Sequence, residues 1–128
     1  YLTVDDVTMH ISHHIGVSNM FHYRGTPISR EMLFSIINGA FRHDLNHYKT
    51  TLVVRAHAHY FVNVRFTTQA GLILPAWQAK TSYMVKKSPL GMVPGIGAVR
   101  LQIEGSEYTQ QERFRNIELI QRPPHVIK

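Results

Sequence analysis

Three kinds of spacing between apolar residues divide the chain. Val7, Met9 and Ile11 alternate with polar neighbours over Val7–Ser12, as do Phe61–Phe66 and, most clearly, Ala98–Glu104 with Val99, Leu101 and Ile103 inward. A period of two places one apolar face on a strand. Leu52, Val53 and Val54 are instead consecutive, the β-branched run of a strand covered on both faces. Between these stretches Ile28, Met32, Leu33, Ile36, Ile37, Ala40, Phe41 and Leu45 recur three and four residues apart. That stripe predicts a helix over about 27–47. Thr26 is its expected cap, Pro27 its first residue, and Glu31 a partner for the positive end of its dipole.

The remaining pieces are shorter. Gly71–Pro75 and Trp77–Val85 read as further strands, separated by turns and by loops at Gly16–Gly25 and Lys86–Gly97. A polar turn over 105–112 is expected to lead to a last strand near 113–121. The order strand, helix, strand across residues 7–55 predicts a parallel pair with a right-handed crossover. The fold class is therefore α/β: a partial two-sheet sandwich flanked by helix, in a single domain over 1–128 or the later part of a larger one.

Charge and composition narrow the chemistry. Fourteen Lys and Arg against eight Asp and Glu give a net charge of +6, which favours anionic partners such as phosphoesters or nucleic acid. The chain has no cysteine, so disulfides, iron–sulfur clusters and thiol nucleophiles are excluded. A reducing, cytoplasmic setting agrees with that composition. No apolar run approaches the roughly 18 residues of a membrane span.

The candidate chemistry lies in the histidines. His13 and His14 follow the first strand of the parallel pair, and His57 and His59 follow the second. In an extended backbone residues two apart share a side, so His57 and His59 are expected to aim at one point beyond the strand's carboxyl end. Parallel pairing brings both clusters to the same sheet edge, where α/β folds collect their ligands. Neutral imidazole is a common ligand for transition metals. On spacing alone, an exposed polar face is the other reading of the His-x-His pair. Two divalent ions about 4 Å apart clamp a phosphoester and ionise a bridging water near neutral pH.

Ser12-His13-His14, the following helix and Ala56-His57-Ala58-His59 together resemble the later half of the calcineurin-like metallophosphoesterase family, its phage and bacterial members in particular. That family closes its catalytic core with a strand–His motif, a helix and a Gly-His-x-His motif, the glycine here being Ala56. The resemblance covers about residues 7–104 and implies metal-dependent phosphoester hydrolysis with two divalent ions: Mn, Zn or Fe. It implies that His13 and His57 hold one ion and His59 the other, with His14 the alternative to His13. The family's opening Asp-x-His, Gly-Asp and Asn-His-Asp/Glu motifs have no counterpart in this sequence. The resemblance thus implies an upstream half, a second chain supplying the Asp and Asn ligands, or lost chemistry.

Other residues are open to two readings. His22 and Arg24, beside Tyr23 on the loop after the first cluster, are candidates for substrate contact or plain surface residues. Arg55 is a candidate phosphate contact or a buried ion-pair partner. His10 reads as a strand-face residue, His43, His47 and His125 as surface residues, and Trp77 and Tyr83 as core. The competing function is a noncatalytic basic module that binds nucleic acid or serves as an assembly subunit.

Overall fold

In a computed structural model, residues 1–18, 20–42, 50–78 and 95–115 are described. They form mixed α/β structure: β1 (Leu2–Val4), β2 (Val7–Ser12), a single 3-10 turn at Phe21–Tyr23, α1 (Thr26–Arg42), β3 (Thr50–Arg55), β4 (Val62–Arg65), β5 (Ala70–Ile73), β6 (Ile96–Glu104) and β7 (Glu107–Arg115). Five strands make one sheet in the order β1-β2-β3-β5-β4, and β6 and β7 make a second. The expected helix beyond Arg42, the strand beyond Gln78, most of the loop before Gly95 and the last strand beyond Arg115 lie outside the described residues. So do His43, His47, Tyr83 and His125.

The consecutive apolar run becomes the central strand. Leu52, Val53 and Val54 on β3 are all buried, with parallel neighbours on both sides, β2 and β5. Successive side chains point to opposite faces. Val53 joins Ile15, Ile28, Met32, Ala58, Tyr60 and Ile73 in a core under α1. Leu52 and Val54 join Val7, Met9, Ala70 and Leu72 in a second core, covered by Val99, Leu101, Ile103 and Tyr108 of the β6–β7 hairpin. The molecule is thus layered as helix, five-stranded sheet and hairpin. The inward row predicted for β6 faces this second core.

Register fixes what lies at the sheet edge. Ser12 pairs with Arg55, and Arg55 with Ile73. Three parallel strands therefore end in one row, and the segments that leave them start side by side.

The structure corrects three expectations. First, most of the apolar stripe of α1 faces solvent. The buried row is Ile28, Met32, Ser35 and Gly39, whereas Leu33, Phe34, Ile36, Ile37 and Phe41 are exposed. The helix seats two large residues on β3 and β5 and turns small ones to the sheet, so its bulky flank is left uncovered. Second, Gly25 supplies the first helical carbonyl, accepting from the Ser29 amide at 3.1 Å and its hydroxyl at 2.8 Å. Glu31 leaves the dipole for an ion pair with Arg55 at 2.9 Å. Third, the polar stretch after Glu104 is strand. The turn is Gly105-Ser106, with Gly105 at φ +61°, and Glu104 already pairs with Glu107. Residues of a strand with one solvated face read as polar, which hid it. Asp5 locks this turn to the sheet, its carboxylate accepting from the Gly105 amide at 3.1 Å.

Gly71 on β5 sets how closely α1 approaches. A Cβ there would lie 2.5 Å from Met32 Sδ and 2.6 Å from Ile28 Cγ1, both fully buried. Gly71→Ala is expected to lift the helix and destabilise the fold by about 1–3 kcal/mol, read as a lowered Tm in thermal unfolding.

Candidate metal centre

His13 and His14 leave the end of β2, and Ala56–His59 leaves the end of β3. The two departures are bonded, the Ala56 amide donating to the His13 carbonyl at 3.2 Å. The sheet's hydrogen-bond ladder thereby runs one step past both strands and draws the loops together. The imidazoles of His13, His14 and His57 then meet in T-shaped contacts, with ring centroids 4.9, 5.5 and 5.2 Å apart. One nitrogen from each lies within 4.8 Å of the other two, and all three residues are exposed.

The His-x-His backbone is not the extended one expected from its spacing. His57 has φ 64° and His59 φ 60°, in the left-handed region that L residues enter at a cost of about 1–3 kcal/mol each. The Ala58 amide donates to the Ala56 carbonyl at 2.7 Å, closing a tight three-residue turn with His57 at its apex. The turn aims His57 back at His13 and His14, which a straight strand would not do. His59 follows outside that triad. It lines the same cavity as His13 and His57, about 360 Å³ in volume, and its Nδ1 is buried without a hydrogen-bond partner. Its carbonyl accepts from the Gly95 amide at 2.9 Å.

Arg55 sits beneath this edge and is 3% exposed. Its guanidinium donates to Glu31 at 2.9 Å, to the His10 carbonyl at 2.9 Å and to the Val54 carbonyl at 3.0 Å, and lies 3.3 Å from His10 Nδ1. Of the two readings of Arg55, the structural ion pair holds: its guanidinium ties β3 to His10 of β2 and to Glu31 of α1. His10 is a strand residue stacked on Tyr1, with ring centroids 4.6 Å apart.

The loop candidates lie elsewhere. Arg24 places its guanidinium over the rings of Phe21 and Tyr60, at 4.8 and 4.6 Å. His22 is exposed and packs on Tyr23. Neither lines the histidine cavity. The third strand end contributes instead: Leu74, Pro75, Ala76, Trp77 and Gln78 form the opposite wall. Sequence reasoning placed Trp77 in the core, yet it is 83% exposed. The signal available was its position directly after a short apolar run ending in proline.

Three imidazoles are a donor set for a borderline metal such as zinc or iron, and His59 lines the same cavity. Tetrahedral zinc, with Zn–N about 2.0–2.1 Å, holds its nitrogens about 3.4 Å apart. Exposed side chains on short loops can close to that spacing by rotation. Comparison with protein-family models, curated proteins and solved structures returns no match to this chain.

The crowding leaves an electrostatic signature. The pKa of His57 is lowered from 6.5, first by desolvation and then by the charges that His14, His13 and His59 would carry. The neutral, ligating form thus persists to lower pH than in an isolated imidazole. A lowered folded-state pKa means that the contribution of His57 to stability is present above 6.5 and is lost as pH falls from there through the folded value. In an NMR titration the His57 ring protons are expected to report a midpoint below 6.5. Replacing both His13 and His14 by Ala should move that midpoint part of the way back.

Proposed function

We propose that this chain carries the histidine half of a dinuclear metal site for phosphoester hydrolysis. The observation that carries the reading is the convergence of His13, His14 and His57, from two parallel strand ends, to nitrogens within 4.8 Å. In this reading these three hold one divalent ion, and His59, which lines the same cavity, serves a second. Zn or Fe suits such donors, and Mn suits them once carboxylates complete the set. Divalent ions at that place polarise phosphoryl oxygens and lower the pKa of water. The chain's own part is to present neutral imidazoles on a rigid sheet edge, with Arg55 and Glu31 neutralising each other below.

The mixed α/β layering of helix, five-stranded sheet and hairpin supports this reading. The reading also requires carboxylate ligands that no described residue lining the cavity supplies. They would come from further sequence or from a second chain. Among the described residues no helix is long and apolar enough to cross a membrane. A cytoplasmic setting goes with the cysteine-free composition.

Calorimetry of the chain with Zn²⁺ or Mn²⁺ tests this. The parent is expected to bind, and His57→Ala to lose at least the tenfold to hundredfold that even outer partners of a metal ligand contribute. His22→Ala should bind as the parent does. Equal affinity in the parent and His57→Ala would refute the reading. The net charge of +6 favours one rival, a noncatalytic nucleic-acid-binding module. Such a module would keep its nucleic-acid affinity after His57→Ala and lose it with added salt.

A further inference from the structure

The cavity beside the histidines has a wall of different character. Trp77 is the single tryptophan of the chain. It stands on the segment that leaves β5, lines the cavity with His13, His57 and His59, and is 83% exposed. Aromatic side chains ordinarily bury about 150–250 Å² each, so a tryptophan turned to water at a cavity mouth has an unused face.

The post beneath it is fixed. The Leu74 amide donates to the Arg55 carbonyl at 2.8 Å, the Ala76 amide to the Gly95 carbonyl at 2.9 Å, and the Gly97 amide to the Ala76 carbonyl at 3.1 Å. Ala76 also bridges Ile96 in parallel, and Pro75 restricts the backbone between them. The residue before Trp77 is therefore held on both sides of its peptide, while the indole itself projects. Aromatic side chains beside a positively charged groove are how proteins take single-stranded nucleic acid, by stacking on the bases; here that positive charge is the ion the histidines would hold. The cavity volume of about 360 Å³ lies in the range of small-molecule sites. The chain's net charge of +6 favours a phosphate-bearing ligand.

We infer that Trp77 stacks on a nucleobase, so that the phosphoester presented to the histidine cluster is a nucleotide. This rests on the hydrolytic reading of that cluster for the phosphate end, and on Trp77 alone for the base. The shared chemistry is a purine or pyrimidine joined through its sugar to phosphate, whether a mononucleotide or the end of a single strand.

The lone indole is its own reporter. The whole chain is titrated with AMP, with a tetradeoxyadenylate and with ribose 5-phosphate, each in EDTA and in Zn²⁺, and tryptophan fluorescence is followed. AMP and the oligonucleotide are expected to quench saturably, more tightly in Zn²⁺, and ribose 5-phosphate is expected not to quench. The tighter of the first two identifies the source. By calorimetry Trp77→Ala should lose about fivefold to a hundredfold in AMP affinity, while Trp77→Phe keeps most of it. Circular dichroism of both variants should match the parent, since the ring is exposed. Affinity for AMP unchanged in Trp77→Ala, or quenching by O-phosphotyrosine as strong as by AMP, would overturn the assignment. Quenching by AMP in a chain that binds neither Zn²⁺ nor Mn²⁺ would remove the hydrolytic reading and leave the base platform. Metal binding without base-dependent quenching would do the reverse.

Discussion

Parallel pairing between β2 and β3 is the constraint on which the rest depends. A parallel ladder makes two strands end at the same edge, and here it continues through the bond from the Ala56 amide to the His13 carbonyl. Forty-four residues of sequence are closed into a contact between neighbouring loops. The energy for this comes from the cores. Burying side chains such as Leu52 and Val53 completely contributes about 1.5–3 kcal/mol each, and Arg55 adds a polar brace across both strands. The side chains of His13, His14 and His57 take no part in this; they are exposed passengers of a well-packed edge. A site built that way can exchange its side chains with little effect on the fold.

The sheet edge is also asymmetric. Its β2 and β3 ends carry nitrogen donors, and its β5 end carries an apolar wall with Trp77. No described Lys or Arg side chain lines the cavity between them. Arg55, the nearest cation in sequence, is sequestered by Glu31 and two carbonyls. Among the described residues, the anion-attracting charge is thus not focused at the histidines. Specific attraction of phosphate at the cavity would fall to the imidazoles and to what they hold.

Much of this fold was legible from residue spacing because period-two alternation and a continuous β-branched run report directly on one-sided and two-sided burial. Strands β2, β3 and β6 follow from that alone, and the juxtaposition of His13 with His57 follows once the intervening helix makes β2 and β3 parallel. The helix stripe was legible as helix and misleading as core, since periodicity records an apolar face and not whether a partner covers it. Ser35 and Gly39 share the buried row with Ile28 and Met32, and it is those two large residues that pack over Gly71. The His-x-His geometry was hidden for a different reason. Spacing-by-two arguments assume extended backbone, whereas His57 and His59 both have positive φ. Trp77 was misplaced because hydropathy assigns a large aromatic to the interior, and only the short peptide clamp at Ala76 reveals why it stands outside.

The left-handed turn at His57 and His59 also bears on how this region can vary. Each non-glycine residue there carries about 1–3 kcal/mol of strain, against the 0.4–1 kcal/mol, roughly, that glycine's looser unfolded chain would cost. Glycine at either position would hold the turn at least as firmly, and a β-branched residue would clash with its own backbone. Folding by itself thus gives no reason to prefer imidazole over glycine or asparagine at these two positions. A lineage that ceased to need their chemistry would be expected to drift there toward glycine or asparagine, and the retention or loss of the pair becomes a record of use.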